Sequence, residues 1–331
     1  MVVGWQTTSL HCRSALFKSL VPPNSPSWLR RYSSKAMPVL QAVETISEMP
    51  QEQIAAEKAP PKRPHWDQVP QNKYTELGID KSLYDKAGGA RFRQHVNPLK
   101  RELQVPAEPL DWSSTFADPS LPLILDVGCG YGRFLLAFVN NMPGYNALGL
   151  EIREPVVDRA NRWAENLELQ RKVRFVLANA TVSVEHMLRS FPGPLSLVTI
   201  QFPDPHFKRR HHKRRVVQPQ LVSAIKALVP QGGKVFLQTD VLEVAEDMRD
   251  HFEKEAGDEF ELSELHSNPE AVFHQISEVE EGKEGVVVEK FDSKWAKAGW
   301  LVKNPLPVPT ERELHVLNQN LPVYRIMLVK K

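Results

Sequence analysis

Short apolar runs alternate with helix-like patterns through the second half of the chain. Seven runs have the length and residue types of strands, at 123–127, 147–150, 173–177, 195–202, 235–238, 260–265 and 323–329. Helical periodicity fills intervals around 134–139, 154–167, 218–228 and 243–252. The first five strands are largely apolar on both faces, as parallel strands covered by helices are, whereas the last two alternate as antiparallel strands do. This order predicts an α/β fold with a mostly parallel seven-stranded sheet and an antiparallel last strand.

The first 43 residues have a different character from the rest. They contain no Asp or Glu, but they hold five Lys/Arg and seven serines. This composition is typical of an organelle transit peptide, and an ordinary disordered tail is the alternative. We therefore expect residues 1–40 to be a transit peptide and the protein to be organellar, in the mitochondrion or the chloroplast.

Proline is concentrated in the first third of the chain, both in this leader and in the residues that follow it. Twelve of the 27 prolines lie within residues 1–110, which is too many for a packed domain. We expect residues 41–110 to be mostly disordered or linker and residues 111–331 to form the globular domain. An exception is the segment near 90–100, where Arg91, Arg93 and His95 lie beside apolar anchors and are expected to bind substrate phosphates.

Composition limits the classes of function. The formal net charge is only +2, so affinity for nucleic acid must come from a local cluster such as residues 206–215, which hold six Lys/Arg and no acid. No apolar run reaches membrane-spanning length, and no membrane association is expected. Cys12 and Cys129 cannot form a disulfide framework, and no Cys/His spacing matches a zinc site, so no metal is expected.

A glycine loop, Gly128-Cys129-Gly130-Tyr131-Gly132, follows the first strand directly. Such a loop lets the backbone approach a nucleotide closely. About twenty residues later the second strand ends in Glu151, whose carboxylate can accept both hydroxyls of a ribose. Asp126 before the loop would repel a pyrophosphate but attract the cationic methionine end of S-adenosylmethionine. The pattern favours S-adenosylmethionine, and NAD is the alternative cofactor.

Polar residues also follow the next three strands. Asn179 comes after the third strand, where its amide either meets an adenine edge or forms a turn. Asp204 and Asp240 follow the fourth and fifth strands, at the sheet edge where open α/β sheets bind ligands. Further on, Thr310 and Glu313 have the spacing of a capping box, which predicts a helix start.

Together these segments resemble the TrmB family, the tRNA (guanine-N7)-methyltransferases. The resemblance covers roughly residues 90–331 and rests on 93–99, 126–130, 150–153, 201–208 and 309–313. It implies the Rossmann-like fold of class I S-adenosylmethionine-dependent methyltransferases. By position it implies cofactor binding by Asp126, Gly128, Gly130, Glu151 and Asn179, an active-site acid at Asp204, and substrate binding by Lys208, Asp240, Thr310, Glu311, Arg312 and Glu313.

The reaction that the resemblance implies is methyl transfer to N7 of a guanine in the variable loop of tRNA, at guanine 46. Guanine N7 has a lone pair and no proton, so the reaction needs positioning more than a general base. Asp204 is then expected to stabilise the positive charge that develops on the purine. The basic run 206–215 and Arg93 are expected to hold tRNA phosphates. No obligatory protein partner is expected, and the protein would be a monomer or weak homodimer.

Two alternatives remain. The chain could be another S-adenosylmethionine-dependent methyltransferase, acting on RNA or on a small molecule, or a non-catalytic RNA-binding scaffold. A small-molecule enzyme would not need the basic run, and a scaffold would not need both Asp204 and Glu151. The sequence departs from the family pattern at Pro307, where glycine is usual, and in its longer acidic stretch 278–289. The conformation of the loop before Thr310 therefore does not follow from the resemblance.

Overall fold

The computed structural model describes residues 96–276 and 291–331 of the 331-residue chain. Three segments lie outside the described residues: the predicted transit peptide at 1–40, the segment 41–95, which includes Arg93, and the acidic stretch 278–289. The strands and helices of the sheet domain lie within the two described ranges.

The strands are β1 (Leu123–Val127), β2 (Asn146–Glu151), β3 (Val173–Leu177), β4 (Leu195–Gln201), β5 (Lys234–Thr239), β6 (Phe260–Leu262), β7 (Val272–Phe273), β8 (Trp300–Leu301) and β9 (Tyr324–Lys330). Seven of them form one sheet in the order β3-β2-β1-β4-β5-β9-β6. β1 to β5 pair in parallel, whereas β9 runs antiparallel to both β5 and β6. The predicted fold class is confirmed.

Within the described residues the helices are α1 (Trp112–Thr115), α2 (Arg133–Asn141), α3 (Glu154–Asn166), α4 (Ala180–Leu188), α5 (Pro219–Leu228), α6 (Leu242–Ala256) and α7 (Glu311–Asn318). They cover both faces of the sheet, so alternate residues of one strand enter different cores. In β1, Leu125 and Val127 belong to one core, whereas Ile124 belongs to the other. This arrangement explains why the parallel strands are continuous apolar runs in the sequence.

The strand order reverses beside β1. Along the chain, β2 and β3 are added on one side of β1, whereas β4 and β5 are added on the other. A reversal of this kind leaves a crevice at the carboxyl ends of the two central strands, which is where open α/β sheets bind their ligands. The cofactor and substrate residues predicted at the ends of β1 and β4 therefore lie at one edge of the sheet.

Several elements differ from the sequence prediction. β6 ends at Leu262 instead of residue 265, because Glu264–Ser267 forms a 3-10 turn. Helix α4 was not predicted, since its residues include several β-branched and small polar types with low helix propensity. The antiparallel pair of β7 and β8 was also missed, because two residues per strand are too few to show a period.

Residues 96–110 lie against the sheet domain, N-terminal to its predicted start at residue 111. The backbone N–H of Ala107 donates to Ser183 Oγ at 3.1 Å. Leu110 packs against the main core, and the amide of Asn179 donates to the carbonyl of Leu103 at 3.0 Å. These contacts make residues 96–110 one wall of the region at the carboxyl ends of the strands.

Candidate active site

A cleft of about 360 Å³ lies at the carboxyl ends of the parallel strands. This volume is in the range of small-molecule sites. Residues after β1, β2, β3 and β4 line it. The segment 96–110 and the basic run 206–215 contribute residues to its sides. Among the predicted site residues, its lining includes Gly128, Glu151, Asn179 and Asp204. The structure thus brings together three predicted cofactor residues and the predicted active-site acid, which are far apart in the sequence, whereas the predicted substrate residues Lys208, Asp240 and 310–313 do not line the cleft.

The glycine loop begins at the cleft beside β1, where Gly128 is part of the lining. Gly128 and Gly130 have φ values of +78° and +54°, which favour glycine, and an added Cβ at either would meet only open space. At Gly132 a Cβ would come within 2.4 Å of the Phe175 ring. Gly132 also has a φ of +75°, so the conformation of the loop favours glycine at all three positions, and close packing requires it at the third as well, as in a backbone cradle for a nucleotide.

Glu151 stands at the end of β2 and joins the loop to the following turn. Its Oε2 accepts a hydrogen bond from the N–H of Gly130 at 3.2 Å. Its Oε1 accepts from the N–H of Ile152 at 2.8 Å, and Arg153 binds both carboxylate oxygens at 3.0 and 2.8 Å. The carboxylate is thus held rigidly in the wall of the cleft, where a ribose would lie. Its role as a cofactor ligand stays a prediction.

Arg153 lies between two acids of the cleft. Burial opposes its charge, but the hydrogen bonds and charge of Glu151, followed by the charge of Asp204, raise the pKa of this guanidinium. Arg153 therefore links the predicted ribose-binding carboxylate electrostatically to the predicted active-site acid. The sequence reasoning assigned it no role of its own, although it directly follows the Glu151-Ile152 pair.

Asp126 is placed differently from the other predicted cofactor residues. It is 4% exposed and does not line the cleft. Its Oδ1 accepts from Thr199 Oγ1 at 2.6 Å and from Gln201 Nε2 at 3.4 Å. Burial raises the pKa of Asp126 from 3.8 to about 6. Between those pH values the folded state binds the proton more tightly than the unfolded state, so this group's contribution to stability falls as the pH rises.

Asn179 caps helix α4. Its Oδ1 accepts from the N–H of Thr181 at 3.2 Å, and its Nδ2 donates to the carbonyls of Pro98 and Leu103 at 3.3 and 3.0 Å. The turn-forming interpretation is confirmed, and the amide also ties the N-terminal segment over the cleft. Contact of this amide with adenine stays a prediction, since in this structure its hydrogen-bonding groups serve the protein.

Asp204 lies on a constrained turn directly after β4. Phe202 and His206, on either side of Pro203-Asp204-Pro205, have φ values of +49° and +44°. Left-handed conformations cost free energy for residues other than glycine, and such strain occurs often at functional sites. The turn leaves Asp204 exposed at the lining of the cleft, within the electrostatic field of Arg153. Its position fits the predicted active-site acid.

The basic run divides into two parts. Residues 208, 209, 210 and 213 are exposed, and Arg209–Arg214 forms a 3-10 helix. Arg215 is buried: its Nε donates to the carbonyl of Pro205 at 3.0 Å, and its guanidinium pairs with Glu243 at 2.5 Å and Asp247 at 3.4 Å. The expectation that the whole run holds phosphates is therefore wrong for Arg215, which instead anchors the Asp204 turn to helix α6.

The predicted substrate segment 310–313 is the start of helix α7. Thr310 Oγ1 accepts from the N–H of Glu313 at 3.1 Å, so the predicted cap is confirmed. The carboxylate of Glu313 does not complete a capping box; it pairs with Arg325 at 2.7 Å and accepts from Asn304 Nδ2 at 2.6 Å. Glu313 is 1% exposed. In this structure Thr310 and Glu313 hold the helix in place, and direct substrate contact by them stays a prediction.

The other residues of this segment form ion pairs that join it to the sheet edge. Glu311 pairs with Arg133, which lies over the rings of Tyr131 and Trp163 at 5.3 and 4.8 Å. Arg312 pairs with Asp240, the half-buried acid after β5. The start of α7 is thus joined both to the helix that follows the glycine loop and to the end of β5. Lys208 lies apart from these pairs, exposed in the basic run.

Within residues 96–276 and 291–331, no three His, Cys, Asp or Glu residues are grouped so that they could hold a metal ion. Within the same ranges no helix has the length and apolar character needed to cross a bilayer.

The fold and the cleft together define a class of protein. A seven-stranded sheet with an antiparallel β9 carries a glycine loop after β1, an acid at the end of β2 and a second acid on a turn after β4. These are the features of class I S-adenosylmethionine-dependent methyltransferases. The cleft fits this cofactor, because the loop accepts a close ligand and Glu151 lines the wall.

Comparison with known proteins narrows the class. Residues 120–304 match the family described as "Putative methyltransferase". The tRNA (guanine-N(7)-)-methyltransferase of Synechococcus elongatus is 45% identical over 242 residues, which are 73% of this chain and 97% of that protein. The corresponding enzyme of Synechocystis is 42% identical over 239 residues, or 72% and 96% of the two chains. The chain belongs to the tRNA (guanine-N(7)-)-methyltransferase family.

Proposed function

We propose that this protein transfers a methyl group from S-adenosylmethionine to N7 of a guanine in tRNA, at position 46 of the variable loop, inside an organelle. The observation that carries the proposal is the placement of Asp204. This acid is exposed on a strained turn and lines the same cleft as Gly128 of the glycine loop, and the exposed cations of the basic run follow it directly in the chain. The family membership described above names the corresponding reaction in the relatives.

The residues of the cleft have separate tasks in this reaction. When bound, S-adenosylmethionine supplies an activated methyl group on a sulfonium. Glu151 would hold the ribose, and the glycine loop would let the cofactor lie against the backbone. Asp204 would orient the guanine and stabilise the positive charge that develops on the purine ring. No proton has to leave N7, so the chain needs no general base.

The exposed cations would position the tRNA. Contacts between Lys or Arg and phosphates provide affinity without reading the base sequence. Lys208, Arg209, Arg210 and Lys213 are exposed beside the Asp204 turn and suit this task, whereas Arg215 does not. A small-molecule methyltransferase would have no use for these cations, and this favours an RNA substrate.

The direct test is methyl incorporation into bulk tRNA by the full chain alone, followed by nucleoside analysis. We expect 7-methylguanosine as the product, formed without a partner protein and in the presence of EDTA, provided the tRNA remains folded. Mapping the product should place it in the variable loop. A different methylated nucleoside would establish another RNA methyltransferase, and cofactor-independent tRNA binding without any product would support the scaffold alternative.

The organellar location rests on the composition of the N-terminal residues. Residues 1–43 carry five Lys/Arg and no acid. Fused to a fluorescent reporter, residues 1–40 should direct it into the mitochondrion or the chloroplast. A matched fusion in which Arg13, Lys18, Arg30, Arg31 and Lys35 are replaced by Glu should stay outside both. Diffuse signal from the unaltered fusion would contradict the proposed location.

A further inference from the structure

Phe207 is an exposed aromatic residue in the middle of the most basic part of the chain. Its exposed fraction is 67%, the largest of any aromatic side chain within residues 96–276 and 291–331. It follows His206, which lines the cleft, and precedes Lys208, which is exposed. Single exposed apolar residues are common on protein surfaces, so the exposure alone indicates little. The cations that follow Phe207 in the chain and the anchored turn before it indicate a binding role for its ring.

Phe207 belongs to a segment of the chain that is rich in cations. Residues 205–215 contain no acid, and the cations at 208, 209 and 210 follow Phe207 directly. The pKa of His211 is lowered, first by desolvation and then by the charges of Arg214, Arg210, Lys208 and Lys213. These charges therefore act together on one small region. Such a region attracts a polyanion and repels cationic partners.

The backbone fixes the place of Phe207. Two residues earlier, the carbonyl of Pro205 accepts from Arg215 Nε at 3.0 Å, and Arg215 is itself paired with Glu243. His206 has a φ of +44°, which turns the chain just before Phe207. Phe207 is thus attached to an anchored turn, three residues from Asp204. Because the preceding residue, His206, lines the cleft, a group bound at Phe207 would be close to it.

We propose that Phe207 is a stacking platform for an unpaired base of the RNA substrate, next to the guanine that enters the cleft. Every base has a π face, and aromatic side chains between cations bind unpaired bases by stacking while the cations bind the flanking phosphates. The inference rests on the proposed function, because it assumes an RNA substrate. It adds an aromatic contact that phosphate binding by the basic run does not supply.

Stacking and phosphate binding can be separated by their dependence on salt. Phe207→Leu keeps an apolar side chain but removes the ring, and we expect its Kd and KM for tRNA to rise about 5-fold to 100-fold. The slope of log Kd against log salt should stay unchanged, because no phosphate contact is lost. Phe207→Trp should keep near-normal affinity. Arg209→Ala should weaken binding and also reduce the magnitude of the salt slope by about one unit.

Matched controls complete the experiment. Phe291→Leu changes another exposed phenylalanine, 41% exposed, and should leave tRNA affinity unchanged. Affinity for S-adenosylmethionine should be normal in all variants, which shows that they are folded. A Phe207→Leu enzyme with normal tRNA affinity, or with a changed salt slope, would overturn the stacking assignment. The proposed function is tested separately, by the product that the unaltered chain forms: loss of stacking affinity does not change which nucleoside is methylated.

Discussion

Replacing Asp204 with alanine is expected to lower turnover about a hundredfold or more, with little change in the affinity for tRNA. The reason is that a carboxylate beside the purine stabilises charge that develops only in the transition state. Asp204 is exposed at the cleft and is not part of the hydrophobic core, so the substitution should leave the fold intact. Single-turnover methylation at saturating tRNA and cofactor measures the effect directly.

The control for this experiment is Arg209→Ala, whose side chain is exposed in the basic run five residues after Asp204. It should raise the KM for tRNA and leave turnover nearly normal, the opposite of the Asp204 result. Asp204→Asn separates charge from shape, since it keeps the size of the side chain and removes the negative charge. Near-normal turnover of Asp204→Ala together with weak tRNA binding would show that the acid only anchors substrate.

The sheet could be predicted from the sequence because each parallel strand is a separate apolar run. Glu151 and Asp204 follow such runs directly, so their location at one edge of the sheet was also predictable. The position of Asp126 on its strand was predictable, but the groups that its carboxylate contacts were not. Its carboxylate faces Thr199 and Gln201 of the neighbouring strand, and the pattern of one strand does not show which groups the next strand presents.

The partners of charged residues were harder to predict than the strands. Arg215 is one of six cations in a short run, and its sequence neighbours do not distinguish it from the other five. Its partners, Glu243 and Asp247, come from helix α6, which the fold brings to the Asp204 turn. Glu313 likewise has the spacing of a capping residue, but a buried arginine on β9 takes its carboxylate. The ion-pair partner of a charged side chain therefore depends on tertiary contacts rather than on the local sequence pattern.

A buried network joins the start of α7 to the centre of the sheet. Gln201 on β4 bonds to Asp126, and Gln238 on β5 donates to Gln201 Oε1 at 2.7 Å. Arg325 donates to Gln238 Oε1 at 3.2 Å and pairs with Glu313. The side chains of this network therefore run from the strand that carries the glycine loop to the helix that carries the predicted substrate segment.

Glu313→Ala is accordingly expected to destabilise the fold by about 3–5 kcal/mol, because it leaves a buried guanidinium without its carboxylate. Arg325 is 2% exposed, so water cannot easily replace the lost partner. The free energy of unfolding from urea titration of the full chain measures the loss. Glu185→Ala, which breaks the exposed pair with Arg189, is the matched control and should cost less than about 1 kcal/mol.

The double substitution Glu313→Leu with Arg325→Met tests the cause of this instability. If the cost of Glu313→Ala comes from an uncompensated buried charge, removing both charges should recover much of the lost stability. The same double variant should still bind S-adenosylmethionine but bind tRNA less well, because α7 loses the ion pair that fixes its orientation and with it the position of Arg312. Equal instability of the single and double variants would indicate that packing around α7, rather than the buried charge pair, holds the substrate segment against the sheet.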